Sequence, residues 1–275
     1  MFRFLIKKNF CDIWDNLFHT IIINLFLLLA GSACVLLIIL SGALPGSFAA
    51  KGIYPMCAIV LCCVVMGVLI FAEGDNALKI ARFEGPKLAN YFRNILPSIK
   101  DGAFFGLYTA FVALVAIISL PYYFRVWIPE DGSQGSLLGL LMMSMVFWFI
   151  VITILSLQYF LPIRSIMHND FKKCLKKCYM IFFDNTFFTI GLGFLNLVNI
   201  AVMIFSLGIL NGPATISITC TEALRLRLYK YDWLEVNPEL TKEERKEVPW
   251  EDLIANDKKL LGPRHWKSFL FPWKD

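Results

Sequence analysis

The residues of this sequence that could carry out chemistry are few and far apart. The three histidines are isolated in sequence: His19, His168 and His265. His168 forms only a His-x5-Cys-x3-Cys pattern with Cys174 and Cys178, which lacks a fourth ligand and the spacing of a zinc site. The sequence contains no Gly-x-Ser-x-Gly, His-Glu-x-x-His, Walker or dinucleotide-binding pattern. We therefore predict no catalytic residue, no metal site and no cofactor.

Two amides stand out in an otherwise apolar segment. Asn196 and Asn199 are three residues apart, so they share one face if the segment is a helix. An unpaired amide in hydrocarbon is costly, and amides within membrane helices therefore hydrogen-bond to neighbouring helices. The alternative is that the two side chains line a polar cavity. The sequence leaves both interpretations open.

A basic amphipathic helix is predicted over 165–183. Its apolar stripe has the spacing of one helix face: Ile163, Met167, Phe171, Leu175, Cys178 and Phe182. Four lysines flank the stripe and are predicted to contact the membrane surface or a partner: Lys172, Lys173, Lys176 and Lys177. The helix lies in the headgroup plane or packs on the ends of the spans, and these arrangements are compatible. Weaker amphipathic patterns lie in 2–18 and 74–102.

The elements that position these residues follow from composition. Of 275 residues, 58% are hydrophobic and 17% are charged, and the mean hydropathy is +0.65. A soluble core of this size cannot bury so many apolar side chains, and a disordered chain would be far more polar. Eight cysteines in this length are too few for a disulfide-stapled module. The composition indicates an all-α polytopic transmembrane helix bundle with cytoplasmic amphipathic helices.

Long segments without Asp, Glu, Lys or Arg locate the spans. About 20 residues of helix cross the hydrocarbon of a bilayer. We place spans near 18–43, 53–72, 103–124, 138–161, 186–209 and 213–229. The last follows a turn at Asn211-Gly212-Pro213, and its polar residues leave an interfacial helix as the alternative. The sequence thus predicts about six spans, or five, within a membrane domain over 1–230, with no charged residue near their centres.

The basic residues predict the orientation of the bundle. They concentrate before residue 17 and in the loops 74–102 and 162–186, whereas the intervening loops hold only Lys51 and Arg125. Positively charged loops stay on the cytoplasmic side during insertion. The amino terminus is therefore predicted to be cytoplasmic, and six spans would place the carboxyl terminus, which follows Arg225, Arg227 and Lys230, on the same side.

The segment 231–275 is predicted to be a cytoplasmic tail. It is more polar than the rest of the chain, but its end is rich in large apolar residues: Trp266, Phe269, Leu270, Phe271 and Trp273. Leaving these side chains in water is unfavourable. We expect the tail to dock on the basic helix 165–183, on the membrane surface beside it, or on a partner.

Several short motifs resemble the YesL-like family of small bacterial multi-pass membrane proteins. The motifs are Tyr159-Phe160-Leu161-Pro162-Ile163-Arg164 before the basic helix, Gly212-Pro213-Ala214, the later Arg225 and Arg227, and the Leu-Pro turn within 43–50. The resemblance covers roughly 10–230. The family's Phe-Pro is here Phe-Leu-Pro, and the tail lies outside its pattern. The resemblance implies a bacterial inner-membrane protein without established catalysis, of a kind often associated with ATP-driven carbohydrate uptake.

The function predicted from these features is that of a non-enzymatic membrane accessory or scaffold protein, associated with a carbohydrate transport system. Its expected partners are the lipid bilayer and a membrane protein, and no nucleic acid is expected. A substrate-conducting permease or channel is the alternative, favoured by Asn196 and Asn199 but opposed by the lack of charge within the spans. A lipid-modifying enzyme is the third class, for which no nucleophile, metal set or acid pair is evident.

Overall fold

The computed structural model describes residues 1–130, 134–239, 241 and 243–264. In these residues every regular element is a helix and no strand is present, which confirms the prediction of an all-α protein. The helices are α1 (Phe2–Asp15), α2 (Leu17–Gly42), α3 (Phe48–Phe71), α4 (Gly74–Ala81), α5 (Leu88–Trp127), α6 (Leu137–Leu157), α7 (Phe160–Met167), α8 (Phe171–Asp184), α9 (Thr186–Phe205), α10 (Pro213–Val236), α11 (Trp250–Leu253) and α12 (Ala255–Leu261), with a 3-10 turn at Glu244–Lys246.

Five helical segments are long and apolar enough to cross a bilayer, and they match the first five predicted spans. They are Leu17–Gly42, Lys51–Ala81, Leu88–Trp127, Leu137–Met167 and Thr186–Phe205. Large apolar side chains such as Leu29, Leu137 and Phe194 point out from them and are more than two-thirds exposed. An apolar exterior of this kind suits lipid rather than water. The chain therefore has the architecture of a multi-pass membrane protein.

Two local expectations differ from the structure. The weak amphipathic segment before Pro97 and the third span form one continuous helix, α5, because prolines are tolerated in membrane helices whose neighbours support the backbone. The single amphipathic helix expected over 165–183 is instead α7 and α8, which are separated at His168. That residue has the left-handed φ of +49° and ends α7.

Close packing of α3 and α5 depends on glycine. A Cβ atom at Gly67 would collide with the carbonyl oxygen of Gly102, and one at Gly106 with the carbonyl oxygen of Cys63. The Gly102-x-x-x-Gly106 pattern, which predicts close approach of two helices, therefore marks a real contact. This contact fixes the membrane scaffold against which the remaining helices pack.

The predicted sixth span forms α10, which begins at Pro213 as expected but continues beyond 229. It is not among the helices apolar enough to face lipid. Instead, α10 lies at the centre of the fold and contacts α1, α2, α3, α4, α7 and α9. Nearly all of its residues from Ala214 to Leu226 are buried, including Thr215, Thr219 and Thr221. Its polarity is accommodated because protein rather than lipid surrounds it.

A buried polar core around α10

The candidate site is a set of buried polar side chains that surround α10, called here the α10 polar core. Its members are Lys8, Asn9, Asp12, Asn24, Asn196, Asn199, Thr215, Thr219 and Glu222, and each is at most 7% exposed. They come from α1, α2, α9 and α10, so the fold gathers residues from both ends of the chain. Buried polar groups require partners, and those partners define what the core can do.

Helix α1 buries both polar and apolar side chains. Its buried face carries Lys8, Asn9 and Asp12 beside Leu5 and Cys11, whereas Phe10 and Trp14 lie on the outer side and are about two-fifths exposed. Burying three polar side chains is stable only against a centre that supplies polar partners for them. The sequence pattern of α1 therefore predicts amphipathicity correctly but does not reveal which face is inward.

Asn24 of α2 caps the amino-terminal end of α10. Its Oδ1 accepts a hydrogen bond from the backbone N–H of Ala214 at 2.9 Å, and its Nδ2 donates to Thr215 Oγ1 at 3.2 Å. A Cβ atom at Gly212 would lie 2.6 Å from the Asn24 amide, so glycine is required for this approach. Asn24 is seven residues from the start of α2, about 10 Å along the helix at the standard rise. The α10 amino terminus is thus inside the bundle.

A ladder of amides and hydroxyls continues along α10. Thr219 Oγ1 donates to Asn9 Oδ1 at 2.9 Å and accepts from Asn199 Nδ2 at 3.3 Å. Asn211 Nδ2 in turn donates to Asn199 Oδ1 at 2.9 Å. This network joins α1, α9 and α10 around a single hydroxyl group.

The innermost charges of the core are Lys8, Asp12 and Glu222. The Lys8 ammonium is hydrogen-bonded to Asp12, and its Nζ lies 3.6 Å from Glu222 Oε1. The Glu222 side chain is fully buried, and no described residue hydrogen-bonds to its oxygens. The expectation of no charge near the centre of a span is thus wrong for 213–229, because Glu222 lies in its middle. Two carboxyl groups therefore face one ammonium.

A buried contact between a histidine and a carboxyl group joins α2 to the junction of α3 and α4. His19 Nε2 lies 2.8 Å from Glu73 Oε1, and both side chains are almost completely buried. Asn76 Nδ2 contacts the other oxygen of Glu73 at 3.5 Å. Although His19 is isolated in sequence, the fold gives it a carboxylate 54 residues away.

The carboxyl-terminal half of α10 binds the segment that follows it. Arg225 Nη2 lies 2.8 Å from Asp257 Oδ1, and its other nitrogen donates to the carbonyl oxygen of Ala81. Ile254 is buried in the same apolar cluster as Leu5 of α1. Residues 250–261 are therefore packed on the bundle, and the predicted boundary at 230 falls within α10.

The structure places the two predicted amides in this core. Asn199 forms the bonds described above, and Asn196 Nδ2 donates to Gln158 Oε1 at 2.8 Å. Asn196 also lies 3.3 Å from Cys220 Sγ, while its buried Oδ1 receives no hydrogen bond from the described residues. Both amides face protein, as an interhelical role requires.

The four predicted lysines lie on α8, apart from the core. Lys172, Lys173 and Lys176 are exposed, and Lys177 Nζ lies 3.0 Å from Met167 Sδ. The opposite face of α8, including Cys174 and Cys178, is buried against the bundle. The helix is thus packed on neighbouring helices and carries its lysines outward. The aromatic residues Trp266, Phe269, Phe271 and Trp273 lie outside the described residues.

Contacts at the end of α8 connect it to α10. Burial would raise the pKa of Asp184, but a hydrogen bond from Tyr231 and the charge of Lys230 lower it below its ordinary value. Tyr231 Oη donates to Asp184 Oδ2 at 2.7 Å, and Lys230 Nζ lies 3.3 Å from the same oxygen.

Burial raises the pKa of the Cys174 thiol, and the same effect raises the pKa of Cys178. Neutral buried thiols of this kind are poor nucleophiles. In the described residues no group of three His, Cys, Asp or Glu side chains is arranged to hold a metal ion.

The buried ionisable residues that sequence reasoning missed are Lys8, Asp12 and Glu222 of the α10 polar core and the separate pair of His19 and Glu73. Lys8, Asp12, His19 and Glu73 lie near the ends of apolar segments, where charges are usually solvated, whereas Glu222 lies within the predicted span 213–229. One signal was available. Thr215, Thr219 and Glu222 recur at helical spacing, which marks a polar face on α10.

The family resemblance stays a prediction from motifs. No family model, no curated protein and no solved structure matches this chain.

Proposed function

We propose that this chain is a non-enzymatic accessory or scaffold protein of a membrane complex. One observation carries the proposal: the ionisable groups buried around α10 are bound to one another across helices. Lys8 and Asp12 hold α1 to Glu222, and Arg225 holds both α4 and Asp257 of α12. Groups used in this way support surface helices rather than act on a substrate.

The exposed basic face of α8 supports a role in partner binding. Three of its lysines point away from the bundle, while its apolar side is fixed by packing. A rigid basic helix at the end of a membrane bundle suits an acidic surface on another protein. The resemblance to the YesL-like family indicates which class of complex the chain would join, an ATP-driven carbohydrate uptake system.

Co-purification from native membranes tests this proposal. We expect a stoichiometric transporter partner, which a Lys172→Ser, Lys173→Ser and Lys176→Ser triple variant loses. Lys100→Ser is the matched control, because Lys100 is exposed on another helix. Recovery of the unmodified protein without any membrane partner would contradict a scaffold role.

A substrate-conducting permease is the second candidate, and a specific observation favours it. The amino terminus of α10 lies inside the bundle beside Asn24, and broken helices that end within the membrane form binding sites in transporters. The Asn196 Oδ1 atom, buried without a hydrogen-bond donor in the described residues, adds a polar group for a substrate. Solute flux through liposomes that contain only the purified chain would favour this function over the first.

A further inference from the structure

A basic cavity lies between α1 and the α11–α12 segment. It has a volume of about 690 Å³, and its charged lining consists of Arg3, Lys7, Lys258, Lys259 and Glu251. Four cations thus face one carboxylate. No described carboxylate forms an ion pair with any of the four cations. Positive charge that no described carboxylate neutralises favours an anionic ligand.

The floor of the cavity is apolar and well packed. Ile254 and Leu261 line it and are less than 5% exposed, and Phe4 packs against the same cluster as Ile254. The four cations are exposed above this floor. The cavity is therefore a preformed concave surface with a basic rim, and ligand binding requires little rearrangement.

The position of α1 sets the level of the cavity relative to a membrane. Ile6, Phe10 and Trp14 form an exposed apolar row along α1, and Arg3 and Lys7 occupy the neighbouring row. A helix with adjacent apolar and basic rows lies at the boundary of acyl chains and headgroups. Trp250 lines the cavity, and tryptophan is enriched at this boundary in membrane proteins.

We infer that this cavity binds the phosphate-bearing headgroup of an anionic phospholipid. The cations supply the charge-assisted contacts to phosphate oxygens, and the apolar row on α1 lies beside the acyl chains. This inference goes beyond the proposed function, since it assigns a lipid site whether or not a protein partner binds to α8.

Native mass spectrometry of the full chain with bound lipid tests the inference. The probes are phosphatidylglycerol and phosphatidylcholine in equal amounts. We expect the wild type to retain one phosphatidylglycerol in preference to phosphatidylcholine. The Lys258→Gln/Lys259→Gln variant should lose about tenfold or more of that preference, because each basic residue near an anionic surface contributes about 1 kcal/mol.

Two further variants make the test specific. Lys172→Gln/Lys173→Gln removes two exposed lysines from α8 and should leave the preference unchanged. Glu251→Gln removes the one acid among the described residues that line the cavity and should strengthen phosphatidylglycerol binding. Equal losses in the α8 and cavity variants would show general surface attraction and would overturn the site.

Inorganic phosphate distinguishes the two sources of this chemistry. If millimolar phosphate displaces the bound phosphatidylglycerol as effectively as added phosphatidylglycerol does, the cavity is a site for free phosphate. The lipid assignment is then overturned. Retention of the lipid in the presence of phosphate supports a membrane ligand.

Discussion

At the scale of residues, the most consequential group is the cluster of Lys8, Asp12 and Glu222. A buried ammonium needs one anion, and this one has two carboxyl groups within reach. Removing either acid should therefore cost little, since the other keeps Lys8 neutralised. Removing both leaves a buried charge without a counter-ion, which is strongly destabilising. The cluster thus tolerates the loss of one acid but not of two.

We expect Asp12→Asn and Glu222→Gln each to lower the free energy of unfolding by about 1 kcal/mol or less, and the double variant to lower it by about 3–5 kcal/mol. Denaturant unfolding in detergent measures both. Glu130→Gln is the control, because its ion pair with Arg125 is at least 71% exposed and is worth less than about 1 kcal/mol. Additive losses in the double variant would show that the two acids do not share Lys8.

At the scale of elements, α10 depends on its cap. Asn24 satisfies the Ala214 N–H at a helix end that water does not reach. We expect Asn24→Ala to destabilise the protein by about 1–3 kcal/mol, the cost of a buried unsatisfied donor. Ser136→Ala is the matched comparison, because Ser136 caps α6 at an exposed position. Equal small losses would mean that the α10 terminus is hydrated.

The contact between α8 and α10 should depend on pH. Because the pKa of Asp184 is lowered in the folded protein, its contribution to stability is present above the ordinary pKa of about 4 and is lost as the pH falls below it. Asp184→Asn should remove this part of the acid dependence. Thermal unfolding from pH 7 down to acid is the measurement. Asp75→Asn serves as the control, since Asp75 is exposed and bonds only to Asn94 among the described residues. An unchanged acid profile in Asp184→Asn would contradict the assignment.

At the scale of the whole molecule, the sequence predicts the lipid-facing part better than the centre. The long segments without charged residues locate the five apolar helices, because every side chain that faces lipid must be apolar. The α10 polar core follows no such rule, since its members are selected by contacts between distant positions, such as Asn9 with Thr219 and Lys8 with Glu222. Asn196 and Asn199 were identifiable because they interrupt an apolar segment. The buried charges at the ends of apolar segments were not identifiable, because charges that flank such segments are ordinarily solvated.

Contacts between the two ends of the chain determine the last prediction, on topology. Arg264 Nη1 lies 2.7 Å from both carboxylate oxygens of Asp15, and Ile254 packs in the same cluster as Leu5. Five apolar crossings alone would leave the chain on the side opposite α1, but α10 returns it to the side of α1 through the polar centre. We therefore expect residues 250–264 and α1 on one side and the turn at 44–47 on the other.

Labelling with a membrane-impermeant maleimide measures this arrangement, with the unsubstituted chain as the background because it has eight cysteines of its own. Leu44→Cys should react in intact cells, since Leu44 is exposed at the end of α2. Lys259→Cys should react only after permeabilisation, because the basic loops predict that its side is cytoplasmic. Reaction of both residues in intact cells would place the two segments on one side, which is incompatible with a crossing by α2 together with the contact of Arg264 with Asp15. Reaction of Lys259→Cys alone would keep the fold and reverse its orientation.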